Sequence, residues 1–230
     1  MGKLPLLLLL LGAGASLSAQ APSGGYSVHA NFTYAGKYVL RGRQLAADSF
    51  QPAVQITSAS AYGSVWVNQP FHGKAGREVD LNGGGQFALG GVWNLDAGAT
   101  LYHYPDTSAL HDGRDNTLEG YLGLNGSVGG TVLGFYAFRD LTLDATTLQG
   151  TAAYSVPWNE WATLRLAAAV GESTPDHGAS YAYASVGATL SARISVKATF
   201  TFGANGSATR HLTGGDRSQL WLTTGLSVAF

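Results

Sequence analysis

The chain contains no cysteine. That excludes a disulfide framework, a thiolate metal site, a catalytic thiol and a lipoprotein attachment cysteine, so the fold must hold by hydrogen bonds and packing. Charge is scarce as well: Asp, Glu, Lys and Arg make up 12% of the residues, against roughly 25% in soluble domains. Thirteen basic and 14 acidic side chains give a formal net charge of -1, with no basic run. Nothing here could neutralise a line of phosphates, and nucleic acid is not an expected partner. Past the N-terminus no stretch reaches the 18 or more uncharged apolar residues of a membrane helix. If the mature chain enters a membrane, it does so as strands. What the sequence has in excess is glycine, 32 of 230 residues, where the usual share is roughly 7%.

The N-terminus reads as a secretory signal peptide, with Lys3 as its positive region, an apolar run from Leu4 to Leu11 and small residues through Ala21. Cleavage after Ala19 is expected, leaving residues 20–230 as one mature unit.

The rest of the chain alternates with period two. From Tyr26 to Leu40 the even positions are Tyr26, Val28, Ala30, Phe32, Tyr34, Gly36, Tyr38 and Leu40, and most odd ones are polar. Successive strand side chains point to opposite faces, so such a segment has one apolar and one polar face. The pattern recurs in Val79, Leu81 and Phe87 against Glu78, Asp80, Asn82 and Gln86, and in Ile194, Val196, Phe200 and Phe202 against Ser195, Lys197, Thr199 and Thr201. Twelve strands are predicted: 26–43, 51–59, 62–68, 77–88, 92–104, 117–128, 131–139, 147–156, 161–171, 180–191, 194–202 and 218–230. Short connections alternate with mostly longer polar ones, at 44–50, 69–76, 105–116, 140–146, 172–179 and 203–217.

An even strand count with alternating short and long connections is the pattern of a transmembrane antiparallel β-barrel of a bacterial outer membrane. The fold class expected is therefore all-β, a closed twelve-stranded barrel with its long loops outside. Closure is required because lipid tolerates no open sheet edge. The last segment places Leu220, Leu222, Leu226, Val228 and Phe230 on one face and ends at an aromatic residue. A terminal Phe230 resembles the sorting signal read by the barrel assembly machinery, an expected partner beside outer-membrane lipid. Tyr and Trp near segment ends, Tyr26, Tyr38, Tyr62, Tyr102, Tyr104, Trp158, Trp161, Tyr181 and Trp221, suit interfacial girdles, although some of them point inward by parity. A soluble sandwich or lipocalin-like barrel is the competing fold. It fits less well, because many apolar-face positions are Gly or Ala, too small to fill a soluble core.

Tyr38-Val39-Leu40-Arg41-Gly42 followed by Gln51-Pro52-Ala53-Val54-Gln55 resembles the opening signature of the TorF family of porins, also called the Gcw_chp family. Ser64 to Asn68, Glu78 to Leu81, Tyr102 to Pro105 and Glu119 to Gly123 resemble later blocks of that family in the same order. Where the family usually has a Ser-Gln pair after the Arg-Gly, this chain reads Arg43-Gln44-Leu45. The resemblance implies an outer-membrane barrel and a channel, with no established substrate.

Chemistry has little footing. There is no G-x-S-x-G elbow, and His72-Gly73-Lys74 lacks the nearby Ser-Asn-Gly of an outer-membrane phospholipase. A lipid acyl hydrolase is thus the alternative and not the expectation. Histidines 29, 72, 103, 111, 177 and 211 are scattered and read as solvated groups, not metal ligands. The run His111 to Asn116 is rich in oxygen but lacks EF-hand spacing, so a polar turn is expected there, not a calcium site. No cofactor is called for.

The most informative polar residues are charges on lumen parity: Lys37, Arg41, Arg43, Glu78, Asp80, Glu119, Arg165 and Lys197. They fit either an ion-pair network that fills a closed structural barrel or a ring of charges along a water-filled path that sorts small polar solutes. Arg41, at the outer end of strand one, and Glu78, Asp80 and Glu119, near the outer starts of strands four and six, are expected at one height, facing one another across the lumen. The expected function is passive passage of small polar solutes across the outer membrane.

Overall fold

In the computed structural model, residues 25–73, 76–106, 115–176, 178–212 and 217–230 are described. The signal-peptide segment lies outside them, as do His177 and most of the His111 to Asn116 run. Fourteen strands form, and twelve of them close one antiparallel barrel. These are β1 (Ser27–Ala35), β4 (Ser49–Thr57), β5 (Ala61–Pro70), β6 (Glu78–Gly90), β7 (Trp93–His103), β8 (Asn116–Val128), β9 (Thr131–Asp140), β10 (Ala145–Pro157), β11 (Ala162–Pro175), β12 (Tyr181–Arg193), β13 (Ala198–Arg210) and β14 (Ser218–Ala229). Each pairs with its sequence neighbour, and β1 closes the ring against β14, with Phe32 opposite Leu226. The remaining two, β2 (Tyr38–Leu40) and β3 (Arg43–Ala46), form a separate hairpin.

Side-chain parity decides the two faces. Phe32, Ile56, Leu122, Phe135, Val186 and Leu222 are exposed on the outer wall, an apolar band that in a closed barrel faces lipid. Thr33, Gln51, Asn68, Glu78, Thr147 and Thr223 are buried on the inner wall. Tyr26, Trp158 and Trp161 are exposed at the end that holds the chain's N-terminal side and the short turns, the place for an aromatic girdle. Tyr38, Tyr62, Tyr102, Tyr181 and Trp221 are instead buried inside.

Several strand ends depart from the predicted boundaries, β11 for one running on to Pro175 in the expected 172–179 loop. Strand one was expected over 26–43, but β1 ends at Ala35 and the chain turns inward. Arg41 and Gly42 both take positive φ, 48° and 79°, the pair of signs that closes a two-residue hairpin turn with strand-matching twist. The period-two pattern runs unbroken because β2 alternates too, so parity alone could not show the break. The strand expected over 194–202 starts at Ala198. Ser195 Oγ accepts from the backbone N–H of Lys197 and Ala198 at 3.2 and 3.0 Å, which holds 194–197 as a turn. β13 then continues to Arg210, through what was expected to be an outer loop over 203–217. Its outward residues there are Ala204, Gly206 and Ala208, too small to read as an apolar face.

Candidate functional site: the lumen neck

The β2–β3 hairpin folds into the barrel and spans it. Its stem is tied to β14 by Lys37 Nζ, which donates to Gln219 Oε1 at 2.7 Å, and by Gly36 N–H to Leu222 O at 2.8 Å. Its tip reaches the far walls. The Arg41 guanidinium donates to both Glu119 oxygens on β8, at 2.6 and 2.8 Å, and its Cζ lies 4.3 Å from the centre of the Phe138 ring on β9. Bidentate geometry and a ring face together make a strong, directional contact for arginine. Gly42 presses on β12 and β13: a Cβ there would lie 2.9 Å from Tyr183 Cβ and would strike the Thr209 methyl. Only glycine combines that closeness with its positive φ.

Below the tip, the Tyr38 ring on β2 packs at a tilt against the Trp66 ring of β5, centroids 5.2 Å apart, and its hydroxyl donates to Glu78 Oε1 at 3.3 Å. Tyr104 also donates to Glu78 at 3.3 Å, and Tyr102 donates to Glu119 at 3.1 Å. Asp80 shares the inner face of β6 with Glu78. Both are 3% exposed, and Asp80 has no tyrosine or arginine donor, only the neighbouring carboxyl of Glu78. Glu78, Asp80 and Glu119 thus converge where a single guanidinium, that of Arg41, is delivered by the hairpin.

Nearer the short-turn end lies a second cluster, unflagged in the sequence, around Asp96 on β7. Tyr62 and Tyr136 donate to its two oxygens at 2.7 and 3.0 Å, and Gln86 reaches it at 3.4 Å. The Tyr121 hydroxyl bonds that of Tyr62 and accepts from Asn82 Nδ2 at 3.2 Å. These rings fit because glycines sit beneath them: a Cβ on Gly98 would strike Tyr121, and one on Gly123 would strike Tyr136. Inward parity in 92–104 is the signal that could have exposed Asp96.

Large residues line the lumen along β5 to β9, and on β10 to β14 they gather toward the outer end as Gln149, Tyr181, Tyr183, Gln219 and Trp221. Below these, the inner wall of β10 to β14 is lined by small groups such as Ala169, Ser185, Thr201 and Thr223. Of the remaining charges expected in the lumen, Arg165 points inward on β11 near the short-turn end, opposite Ser155 and Thr189. Arg43 is exposed on the hairpin, and Lys197 lies in the exposed 194–197 turn beside Val196, which is 97% exposed. Lys197 is therefore at the barrel rim, because the Ser195-capped turn keeps it out of the ladder. At the outer rim, Arg77 pairs with Asp106 at 2.7 Å, Arg139 with Asp144 at 2.9 Å, and His72 with Asp48 at 2.9 Å.

This architecture is that of solved outer-membrane channels. It superimposes on the KdgM porin with a TM-score of 0.60 at 10% identity, covering 89% of this chain and 99% of that one. For the COG4313 outer membrane channel from Pseudomonas putida F1 the TM-score is 0.56 at 11% identity, over 89% and 95%. For the NanC porin it is 0.55 at 11% identity, over 87% and 98%. One KdgM structure is a complex with disordered oligogalacturonate. At this identity the likeness establishes the fold. No family model and no curated protein matches the chain, so the TorF resemblance rests on its sequence blocks.

Proposed function

We propose that the protein is a passive channel of the bacterial outer membrane for small polar solutes, with the β2–β3 hairpin setting its neck. The observation that carries this reading is the asymmetry of the lumen. A barrel closed only for structure gains most from a uniformly packed core, whereas here the inner wall of β10 to β14 beyond Tyr181, Tyr183 and Trp221, toward the short-turn end, carries small groups such as Thr151, Ala153, Ala169, Ser185 and Thr201 opposite the large rings of β5 to β9. Selectivity in such channels comes from the charges at the narrowest point. In this chain Arg41 is carried by the hairpin, and Glu78, Asp80 and Glu119 by the walls that it meets. Lys37, Arg41, Glu78, Asp80, Glu119 and Arg165 line the path; Arg43 and Lys197 are exposed toward its two ends.

The membrane partners follow from the outer surface. The apolar band takes outer-membrane lipid. Phe230 is exposed, and its N–H donates to Val28 O at 3.0 Å, which leaves the ring at the barrel seam for the assembly machinery.

Single-channel recording on the purified protein in planar bilayers tests the reading. Discrete conductance steps are expected. A silent, folded barrel would favour the closed structural alternative, and release of fatty acid from phospholipid or lipopolysaccharide would favour a hydrolase.

A further inference from the structure

Asp80 is the one neck carboxylate with no tyrosine or arginine donor. Glu119 has Arg41 and Tyr102, and Glu78 has Tyr38 and Tyr104; Asp80, at 3% exposure, meets only the carboxyl of Glu78. Two buried carboxyls side by side with no cation between them are costly and call for a cation or a shared proton. Its surroundings favour one kind of cation. Asp80 is directly opposite Trp66 on β5 and Tyr102 on β7, all three on the inner face, and directly opposed side chains have Cβ atoms roughly 5 Å apart. Tyr38 packs at a tilt against the same Trp66 ring. A carboxylate flanked by aromatic residues is a setting for a flat, weakly hydrated cation.

The neck already contains one worked instance. The Arg41 guanidinium sits on Glu119 with the Phe138 ring 4.3 Å away. Asp80 with Trp66 and Tyr102 repeats that combination on the adjoining strands. A divalent metal is disfavoured, since among the described residues no group of three acidic, histidine or cysteine side chains could hold one. Anionic solutes are disfavoured too. Oligogalacturonate, the ligand of the KdgM complex, is a chain of carboxylates and would meet Glu78, Asp80 and Glu119 at the narrowest point here.

We infer that Asp80, flanked by Trp66 and Tyr102, is a binding site for the alkylguanidinium group of a permeating solute. This site names the charged group of the solute and presupposes the channel reading. Access requires the hairpin to lift, because Tyr38 covers Trp66 and both Asp80 oxygens are enclosed.

The test uses methylguanidinium chloride, with sodium chloride at equal ionic strength as reference. Thermal unfolding of the full barrel in detergent reads binding, and block of sodium current in planar bilayers reads the path. In the wild type a saturable rise in unfolding temperature and a concentration-dependent block are expected. Asp80→Asn should weaken both by about tenfold, the loss of one charge-assisted contact. Trp66→Leu, which keeps the carboxylate, should weaken them severalfold and serves if Asp80→Asn fails to show heat-modifiable folding. Glu172→Gln, on the exposed face of β11, should change neither. Affinity unchanged in Asp80→Asn and Trp66→Leu, as expected if Asp80 simply holds a proton, overturns the site. Binding without any sodium current sinks the channel reading and leaves the site; current without binding sinks the site and leaves the channel.

Discussion

Arg41 grips Glu119 with two parallel hydrogen bonds, of 2.6 and 2.8 Å, across 78 residues of sequence. The pair joins a hairpin tip to the opposite barrel wall, with both side chains largely buried. Arg41 does this from a positive φ of 48°, a conformation that costs a non-glycine residue on the order of 1 kcal/mol and persists only where surroundings enforce it. The contact is thus a latch on the neck.

Arg41→Ala should release that latch. Larger or noisier conductance is expected in single-channel records, together with a shift of the reversal potential toward cations in a salt gradient. Glu119 left buried without its partner costs about 3 to 5 kcal/mol, read as a lower unfolding temperature. Arg41→Ala with Glu119→Ala should recover most of that stability while keeping the larger conductance. A double variant as unstable as the single one would show that the pair does not hold the hairpin.

Gly98→Ala probes the Asp96 cluster. Its methyl would collide with the Tyr121 ring and lie 2.5 Å from the Gly83 carbonyl oxygen, so the ring must move and disturb its bonds to Tyr62 and Asn82. Overpacking of this kind costs about 1 to 3 kcal/mol. The unfolding temperature should fall, with little change in ion preference, because the neck charges are elsewhere. Unchanged stability would mean the ring contacts are slack.

Acid should loosen the outer rim between Arg77 and Asp106. The side-chain hydrogen bonds from Arg77 hold the Asp106 carboxyl down at about 2, below its usual value near 4. A folded-state value below the unfolded one means the contact stabilises fully above about pH 4 and is lost as pH falls through about 2. The Arg77 amide, which donates to Asp106 Oδ2 at 3.2 Å, should lose protection from hydrogen exchange over that window after correction for intrinsic rates. Asp106→Asn should remove the pH dependence. Equal protection at pH 5 and pH 2 in the wild type would contradict the pairing.

Cysteine labelling checks the orientation, and the absence of native cysteine makes it clean. A cysteine at Ala179, exposed between β11 and β12, should react with an impermeant maleimide on intact cells. One at Asn159, in the β10–β11 turn, should react only after the outer membrane is breached. The protein should fractionate with outer membranes and show heat-modifiable mobility. Reversed labelling would invert the barrel.

The sequence by itself determined the barrel. Period-two alternation assigns each residue to lipid or lumen regardless of what the strand pairs with, and an even count of such segments with alternating connections leaves a closed antiparallel ring as the solution. It therefore also placed Glu78, Asp80 and Glu119 inward. Tertiary structure alone decided that Arg41 reaches them from a hairpin folded into the lumen, because alternation continues unchanged through Tyr38 to Leu40 whether the strand stays in the wall or leaves it. It decided, too, that β13 extends to Arg210, since ladder hydrogen bonds with β12 and β14 carry the strand past Phe202 through a stretch whose outward residues are Ala204, Gly206 and Ala208. That Asp80 lacks a tyrosine or arginine donor could not be read from the chain at all. Whether a carboxylate has a donor depends on where Tyr38, Tyr102 and Tyr104 send their hydroxyls, and those residues meet it only through the register of neighbouring strands and the return of the hairpin.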